Sequence, residues 1–301
     1  MVPIGPLHNA ERAPKGGHPR DSAWRAPPLR YGAGPMPRWL RILLTGWSFF
    51  LFFFGSPLLP LLVFPWVRLT SRDLDDYRTR CTHLIHKGMR LFTWTLGFYG
   101  LVRAPKDVKL PDGVDPTKPY VLVSNHPSLI DIVLTLGWFD GLTCLTKGSW
   151  KHSAALGLLL RSTHYLAGPT GDDDVDVHAA IVQHLKKGHP VMIFPEGTRS
   201  LADRLHRFRR GAVEAAFQAG VPIVPMYIDV TTPFLMKGVP FWKVPTRTPE
   251  YSVEFFEVID PRTETRDPKS VNQSLQERYR ARFARTVAAR AAAALAPEAA
   301  R

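Results

Sequence analysis

The chain is 301 residues long, enough for one sizeable α/β domain with appendages, and 45% of it is apolar. Its 39 Lys and Arg against 26 Asp and Glu leave a formal charge of +13, which points to an anionic partner, either nucleic acid or the anionic face of a membrane. Cys81 and Cys144 lie far apart, with no CxxC or Cys/His spacing near either; this excludes a disulfide framework and a thiolate metal site and leaves two buried thiols in a reducing compartment.

Residues 1–37 carry Pro, Gly and Arg with no period of 2 or 3.6, and read as a disordered basic N-terminus. No apolar core follows the early basic residues, so this is not a secretory signal; a start at Met36 is a second reading. From Ile42 to Val67 the chain has no charge: ILLTGWSFFLFFFGSPLLPLLVFPWV, flanked by Arg38 and Arg41 before and Arg68 and Arg72 after. One helix of that length would reach about 39 Å, beyond the roughly 30 Å hydrocarbon core. Gly55, Ser56, Pro57 and Pro60 interrupt it, and cations at both ends give no one-sided charge bias. The segment predicts membrane attachment, by a helical hairpin or re-entrant loop in preference to a tilted single span. Residues 72–98 predict a helix with Asp73, Asp75 and Asp76 in its first turn, either interfacial and amphipathic or packed on its own domain. Together, residues 38–100 form a membrane-associated helical segment in this reading.

After Pro119 short β-rich runs alternate with helical stretches. Tyr120–Ser124, Leu142–Thr146, Thr163–Ala167, Val191–Phe194, Ile223–Ile228 and Ser252–Val258 read as strands, and Val177–Leu185 and Gly211–Ala219 as helices. That alternation predicts an α/β domain over residues 101–270, with a mostly parallel central sheet flanked by helices. Residues 271–301 read as a basic, Ala-rich helix. Its Arg278, Arg280, Arg282, Arg285 and Arg290 form either a basic face toward phosphate headgroups or a solvated tail.

Two constellations sit at strand ends, where open α/β sheets place their sites. In Ser124-Asn125-His126-Pro127-Ser128-Leu129-Ile130-Asp131 a buried strand runs into a polar turn and then an apolar helix. His126 there suits a general base near neutral pH, and Asp131 is placed to reach back, fix its tautomer and stabilise the imidazolium. Ser128-x-x-Asp131 also has the spacing of a capping box, and the two roles can coexist. The second constellation is Phe194-Pro195-Glu196-Gly197-Thr198-Arg199-Ser200. Gly197 permits a tight turn, Arg199 offers a planar fork of donors for a phosphate, and Glu196 can orient Arg199 or accept from a substrate hydroxyl. Further on, Arg209 and Arg210 precede Gly211 at a helix N-terminus, where anions bind readily.

Asn125–Asp131 resembles the NHxxxxD signature of the glycerolipid acyltransferases, and Phe194–Ser200 their FPEGTRS block. Phe208–Gly211 and Val221–Pro225 resemble their two later blocks. All four occur in order between Asn125 and Pro225, and the subgroup they most resemble is the 1-acylglycerol-3-phosphate acyltransferases. The resemblance implies transfer of a fatty acyl group from a coenzyme A or acyl-carrier-protein thioester to a lipid hydroxyl, without metal or covalent acyl-enzyme. It implies that His126 is the base and Asp131 its partner, while Glu196, Gly197, Thr198, Arg199, Arg209 and Arg210 bind the acceptor. It further implies membrane lipids as partners and a catalytic domain on the cytoplasmic side of the inner membrane.

One stretch departs from the family. Where the family carries an aromatic-x-Asp-Arg strand end, this chain reads Ser162-Thr163-His164-Tyr165-Leu166-Ala167-Gly168-Pro169, followed by Asp172-Asp173-Asp174; Arg161 is the nearest cation. Another acceptor therefore stays open, an amino-acid lipid or a polyene lipid, as does a catalytically idle membrane scaffold on the same fold. Nucleic-acid binding is disfavoured, because no binding module or aromatic-interleaved basic stretch is present.

Overall fold

The computed structural model describes residues 36–295 apart from Ser56, residues 169–175, Pro233 and Thr246. The expected disordered N-terminus up to residue 35 and the acidic Asp172–Asp174 run lie outside the described residues.

Six strands form one sheet: β1 (Val121–Ser124), β2 (Thr143–Thr146), β3 (Leu166–Ala167), β4 (Val191–Ile193), β5 (Ile223–Val230) and β6 (Tyr251–Phe255). Their order is β3-β2-β4-β1-β5-β6, with every pairing parallel except β5 with β6. Both faces are buried, which is why the strands read as continuous apolar runs rather than alternations. Tyr120, Leu122, Met192, Val224 and Met226 pack to one side, against α3 (Leu74–Phe98) and α4 (Asp131–Trp138). Val121, Val123, Val191, Ile193 and Ile223 pack to the other, against α6 (Val177–Lys186), α7 (Gly211–Ala219) and α8 (Pro268–Leu295). The result is the expected α/β sandwich with a mostly parallel sheet.

The strand expected over Thr163–Ala167 shrinks to β3. Residues before it close α5 (Ala154–Arg161): Ser162 N–H bonds Leu158 O at 3.0 Å and the Thr163 hydroxyl bonds Leu159 O at 3.0 Å. The sequence reading did not anticipate α5.

The C-terminal helix is neither a solvated tail nor a headgroup-facing appendage. Val271, Leu275, Tyr279 and Phe283 of α8 are buried in the core. Arg282 pairs with Glu254 at 2.6 Å and Asp229 at 3.1 Å, and Arg290 donates to Val230 O at 2.7 Å. Two of its arginines therefore fasten the helix to β5 and β6, and the break expected at residue 270 falls inside one packed unit.

The N-terminal segment corrects the expected hairpin. α1 (Arg38–Gly55), a π-type turn at Leu59–Val63 and α2 (Phe64–Thr70) follow one another as one helical run over Arg38–Thr70, long and apolar enough to cross a membrane. The run advances antiparallel to α3: Phe52 meets the Phe92 ring at 5.2 Å, and Phe64 meets Tyr77 at 6.4 Å. The reversal comes at Ser71–Asp73 instead, where Asp73 caps α3 by accepting from Asp76 N–H at 2.8 Å. Pro60 and Pro65 stand second in their helical segments, in the first turn, where the segment itself offers no carbonyl to an N–H, so they deflect the run without turning it back. α3 itself packs on α4 along much of its length, closely enough that a Cβ on Gly137 would lie 3.3 Å from Met89 and Arg90 backbone. Its far end leaves Leu91, Trp94 and Phe98 exposed, as are Trp39, Leu43, Phe54, Leu62 and Trp66 along the preceding run.

Candidate active site

β1 delivers the chain to Asn125, whose side chain supplies the next rung of the ladder. Its Nδ2 donates to Ile228 O at 2.9 Å and its Oδ1 accepts from Ile228 N–H at 2.8 Å. A side chain in place of a backbone rung lets β1 stop at Ser124 and the chain turn at His126-Pro127. His126 then stands at the carboxyl edge of the sheet, its ring stacked on Phe194 at the end of β4, 4.0 Å between centroids and 11° between planes.

His126 Nδ1 lies 3.0 Å from Asp131 Oδ2. Asp131 is fully buried at the start of α4; its Oδ2 also accepts from Ser128 N–H at 2.6 Å, and its Oδ1 accepts from the Ser128 hydroxyl at 2.7 Å. A carboxylate accepts, so Nδ1 carries the hydrogen and Nε2 keeps its lone pair for chemistry. Ser128 spends its hydroxyl proton on Asp131, so Tyr251 OH, 2.9 Å away, donates to Ser128. Burial drives the Tyr251 phenol far up, keeping that proton in place. The capping geometry and the histidine contact coexist on one carboxylate. The helix proper starts at Asp131, however, and Ser128 Oγ accepts from Ile130 N–H at 3.1 Å instead of from the third helical residue.

The second loop is welded to the first. Ser200 N–H donates to His126 O at 2.7 Å. Glu196 is buried, and both its oxygens are taken: Oε1 accepts from the Ser200 hydroxyl at 2.6 Å and His126 N–H at 3.3 Å, and Oε2 from His206 N–H at 2.8 Å. All three bonds lie within the turn, so Glu196 ties His126, Ser200 and His206 together.

Arg199 is half-buried and donates to Leu235 O at 2.8 Å. Burial lowers its pKa while the Asp131 charge pulls it back up, so the guanidinium and the buried carboxylate share one field. Leu235 takes φ of +52°, and its carbonyl also accepts from Leu129 N–H at 3.3 Å. This strained residue links the Arg199 fork to the segment leading into α4.

Gly197 is exposed with φ of +67°, and a Cβ there would lie 3.0 Å from Arg209 Cζ. The missing side chain is what lets the Arg209 guanidinium lie over the loop. Arg209 N–H holds Pro195 O at 2.8 Å, so the two blocks meet directly. Arg207, Arg209 and Arg210 line an open basic concavity here. Arg210 shares its charge with Glu214 at 3.5 Å, one turn on along α7. Thr198 is half-buried in the same turn, and Arg161 is exposed at the end of α5.

The Asn125 latch, the Phe194 stack, the Tyr251–Ser128 support and the Leu235 carbonyl escaped the sequence reading. Only Asn125 and Phe194 carried a signal, as members of the two motif blocks; Tyr251 and Leu235 approach from over a hundred residues away.

The geometry has a counterpart among known proteins, since residues 105–229 match the family model described as Acyltransferase. The match takes in β1 and most of β5, and with them His126, Asp131 and the Glu196 loop. The chain is 33% identical over 121 residues to 1-acyl-sn-glycerol-3-phosphate acyltransferase of Saccharomyces cerevisiae, covering 38% of this chain and 40% of that one. It is 33% identical over 127 residues to the human alpha form, covering 40% and 44%. Over 180 residues it is 30% identical to lyso-ornithine lipid O-acyltransferase of Pseudomonas aeruginosa, covering 59% and 63%. The matched part thus spans less than two thirds of these relatives' length. The crystal structure of the 1-acyl-sn-glycerophosphate acyltransferase from Thermotoga maritima shares the fold, with a TM-score of 0.60 at 20% identity, covering 80% of this chain and 94% of that one.

Proposed function

We propose that the protein is a membrane-bound O-acyltransferase that moves a fatty acyl group from an acyl-CoA or acyl-ACP thioester to the free hydroxyl of a lysophospholipid, 1-acylglycerol-3-phosphate first. The observation that carries this reading is the His126–Asp131 pair at 3.0 Å, bound through backbone and Glu196 to a loop that presents Arg199 and Arg209. In this reading His126 Nε2 takes the hydroxyl proton as the acceptor oxygen attacks the thioester carbonyl. Asp131 stabilises the imidazolium; the C–S bond then breaks, and the leaving thiolate receives that proton. Arg199 and Arg209 hold the acceptor phosphate. The largely exposed run Arg38–Thr70, uncharged from Ile42 to Val67, supports residence at a membrane, with the basic site facing anionic headgroups on the cytoplasmic side.

A second acceptor is favoured by a separate observation. The family's Asp-Arg is missing from the stretch Ser162–Gly168, and a lyso-ornithine lipid O-acyltransferase is among the relatives, 30% identical over 180 residues. A hydroxyl on an amino-acid lipid would use the same base and a different headgroup clamp.

Purified full-length protein in detergent, given labelled acyl-CoA or acyl-ACP with lysophosphatidate or lyso-ornithine lipid in parallel, separates the two. Acylation of lysophosphatidate, abolished in His126→Ala, supports the first reading. Acylation of lyso-ornithine lipid alone replaces it with the second, and acylation of neither by folded protein contradicts both.

A further inference from the structure

At the opposite edge of the sheet from His126, three segments bring titratable groups together that the acyl-transfer reading leaves unused. Asp75 lies in the first turn of α3, His164 precedes β3, and His189 follows the turn that closes α6. His164 and His189 stack with centroids 3.8 Å apart and planes 27° apart, and the Nε2 of each lies 3.9 Å from the same oxygen, Asp75 Oδ1. One donor atom from each of the three residues falls within 4.8 Å of the other two.

We infer that Asp75, His164 and His189 form a binding site for a divalent first-row transition metal, zinc by its donor set, which fastens the N-terminal helical segment to the α/β domain.

Two imidazole nitrogens and one carboxylate oxygen suit zinc, whereas magnesium and calcium demand oxygen shells. Ligand atoms around tetrahedral zinc stand roughly 3.3 Å apart, so Asp75 has to draw in from 3.9 Å and the two ring nitrogens, within 4.8 Å of each other, have to close by rotation of the rings. Asp75 is free to move, because its side chain is 73% exposed; the rings are 8% and 18% exposed. The same opening admits the ion and a water as fourth ligand.

The backbone carrying the two rings is held in place independently of any ion. The His164 backbone N–H donates to the Thr82 hydroxyl of α3 at 3.3 Å, and the His189 backbone N–H donates to His184 O at 3.3 Å. Behind them His184 is fixed by Thr143 Oγ1 at 2.8 Å, its ring 5.0 Å from that of His189. Two features oppose binding: Thr79 Oγ1 lies 3.0 Å from His164 Nε2 and has to give way, and Arg78 and Lys187 place positive charge nearby.

The test uses untagged full-length protein in detergent, stripped with a chelator and titrated with Co²⁺ as a visible probe. The expected result is one Co²⁺ per chain with d–d absorption that Zn²⁺ quenches, and a higher thermal midpoint with Zn²⁺ than without. Asp75→Asn carries the test, since its exposed side chain can be changed without emptying the core; it should weaken Co²⁺ binding by about tenfold or more. His189→Gln should do the same, and His126→Ala should bind Co²⁺ as the unaltered protein does. Absence of a Co²⁺ spectrum, a spectrum unaffected by Asp75→Asn, or one lost in His126→Ala would each overturn the assignment.

Discussion

Ser200 gives its backbone N–H to the carbonyl oxygen of His126 at 2.7 Å, so the two motif blocks, seventy-odd residues apart in sequence, share one hydrogen-bonded turn. Glu196 seals that turn by accepting from both residues. His126 and the Glu196–Ser200 turn are therefore held as one body.

Glu196→Ala tests this coupling. Removing the carboxylate frees His126, Ser200 and His206 at once without touching the substrate's atoms. A shift of about an ångström in the base costs roughly 10²-fold in rate, so kcat should fall by about that much while KM for the acceptor changes little. Arg199→Ala should do the reverse, raising KM more than it lowers kcat. Steady-state kinetics of the two variants side by side decide the matter, and a Glu196→Ala enzyme with a raised KM and normal kcat would return Glu196 to the acceptor.

Tyr251→Phe removes the outer link of the chain Tyr251–Ser128–Asp131 without opening a cavity. Ser128 then loses a buried donor, at about 1 kcal/mol of stability. kcat should drop a few-fold, because Asp131 still holds His126. Denaturant unfolding and kcat on one preparation check both halves.

Gly197→Ala places a Cβ in a left-handed turn and 3.0 Å from the Arg209 guanidinium. The backbone strain costs about 1–2 kcal/mol, and Arg209 has to swing away. The expected outcome is a lower melting temperature with a raised acceptor KM, the second of which Arg209→Ala should reproduce by itself.

The exposed Leu91, Trp94 and Phe98 at the end of α3 should face lipid together with the preceding helical run. Changing all three to Ser removes apolar area worth roughly 1.5–3 kcal/mol each if fully buried. Flotation with anionic vesicles should show partitioning weakened by at least about tenfold, while turnover in detergent stays close to normal. Unchanged flotation would place this end of α3 away from the bilayer.

Much of this was legible in the chain itself. Short apolar runs alternating with helical stretches predicted the parallel sheet, because strands buried on both faces need apolar residues at every position, as Val121–Val123 and Val191–Ile193 supply. The spacing of His126 and Asp131 predicted their contact, because five residues carry the chain around one turn into one helix. Long-range packing was not legible. Arg282 and Arg290 look the same in sequence whether they meet lipid phosphate or Asp229 and Val230, and only the fold brings β5 and β6 beneath them. The prolines of the N-terminal run misled in a similar way. A proline in the first turn of a helical segment and one that reverses the chain share a composition, and Pro60 and Pro65 are of the first kind. Glu196 was read as a substrate ligand because an acid beside an arginine invites that pairing, whereas its own turn had already claimed both oxygens.

The central claim is that His126 is the base for acyl transfer, and one comparison tests it most directly. Single-turnover transfer from a labelled long-chain thioester to the acceptor is measured with unaltered protein and with His126→Ala, each checked for the same thermal midpoint and the same acceptor binding. The account predicts a loss of about 10²–10⁴-fold in the transfer step with acceptor binding intact. A folded His126→Ala protein that transfers acyl groups at the normal rate would contradict it.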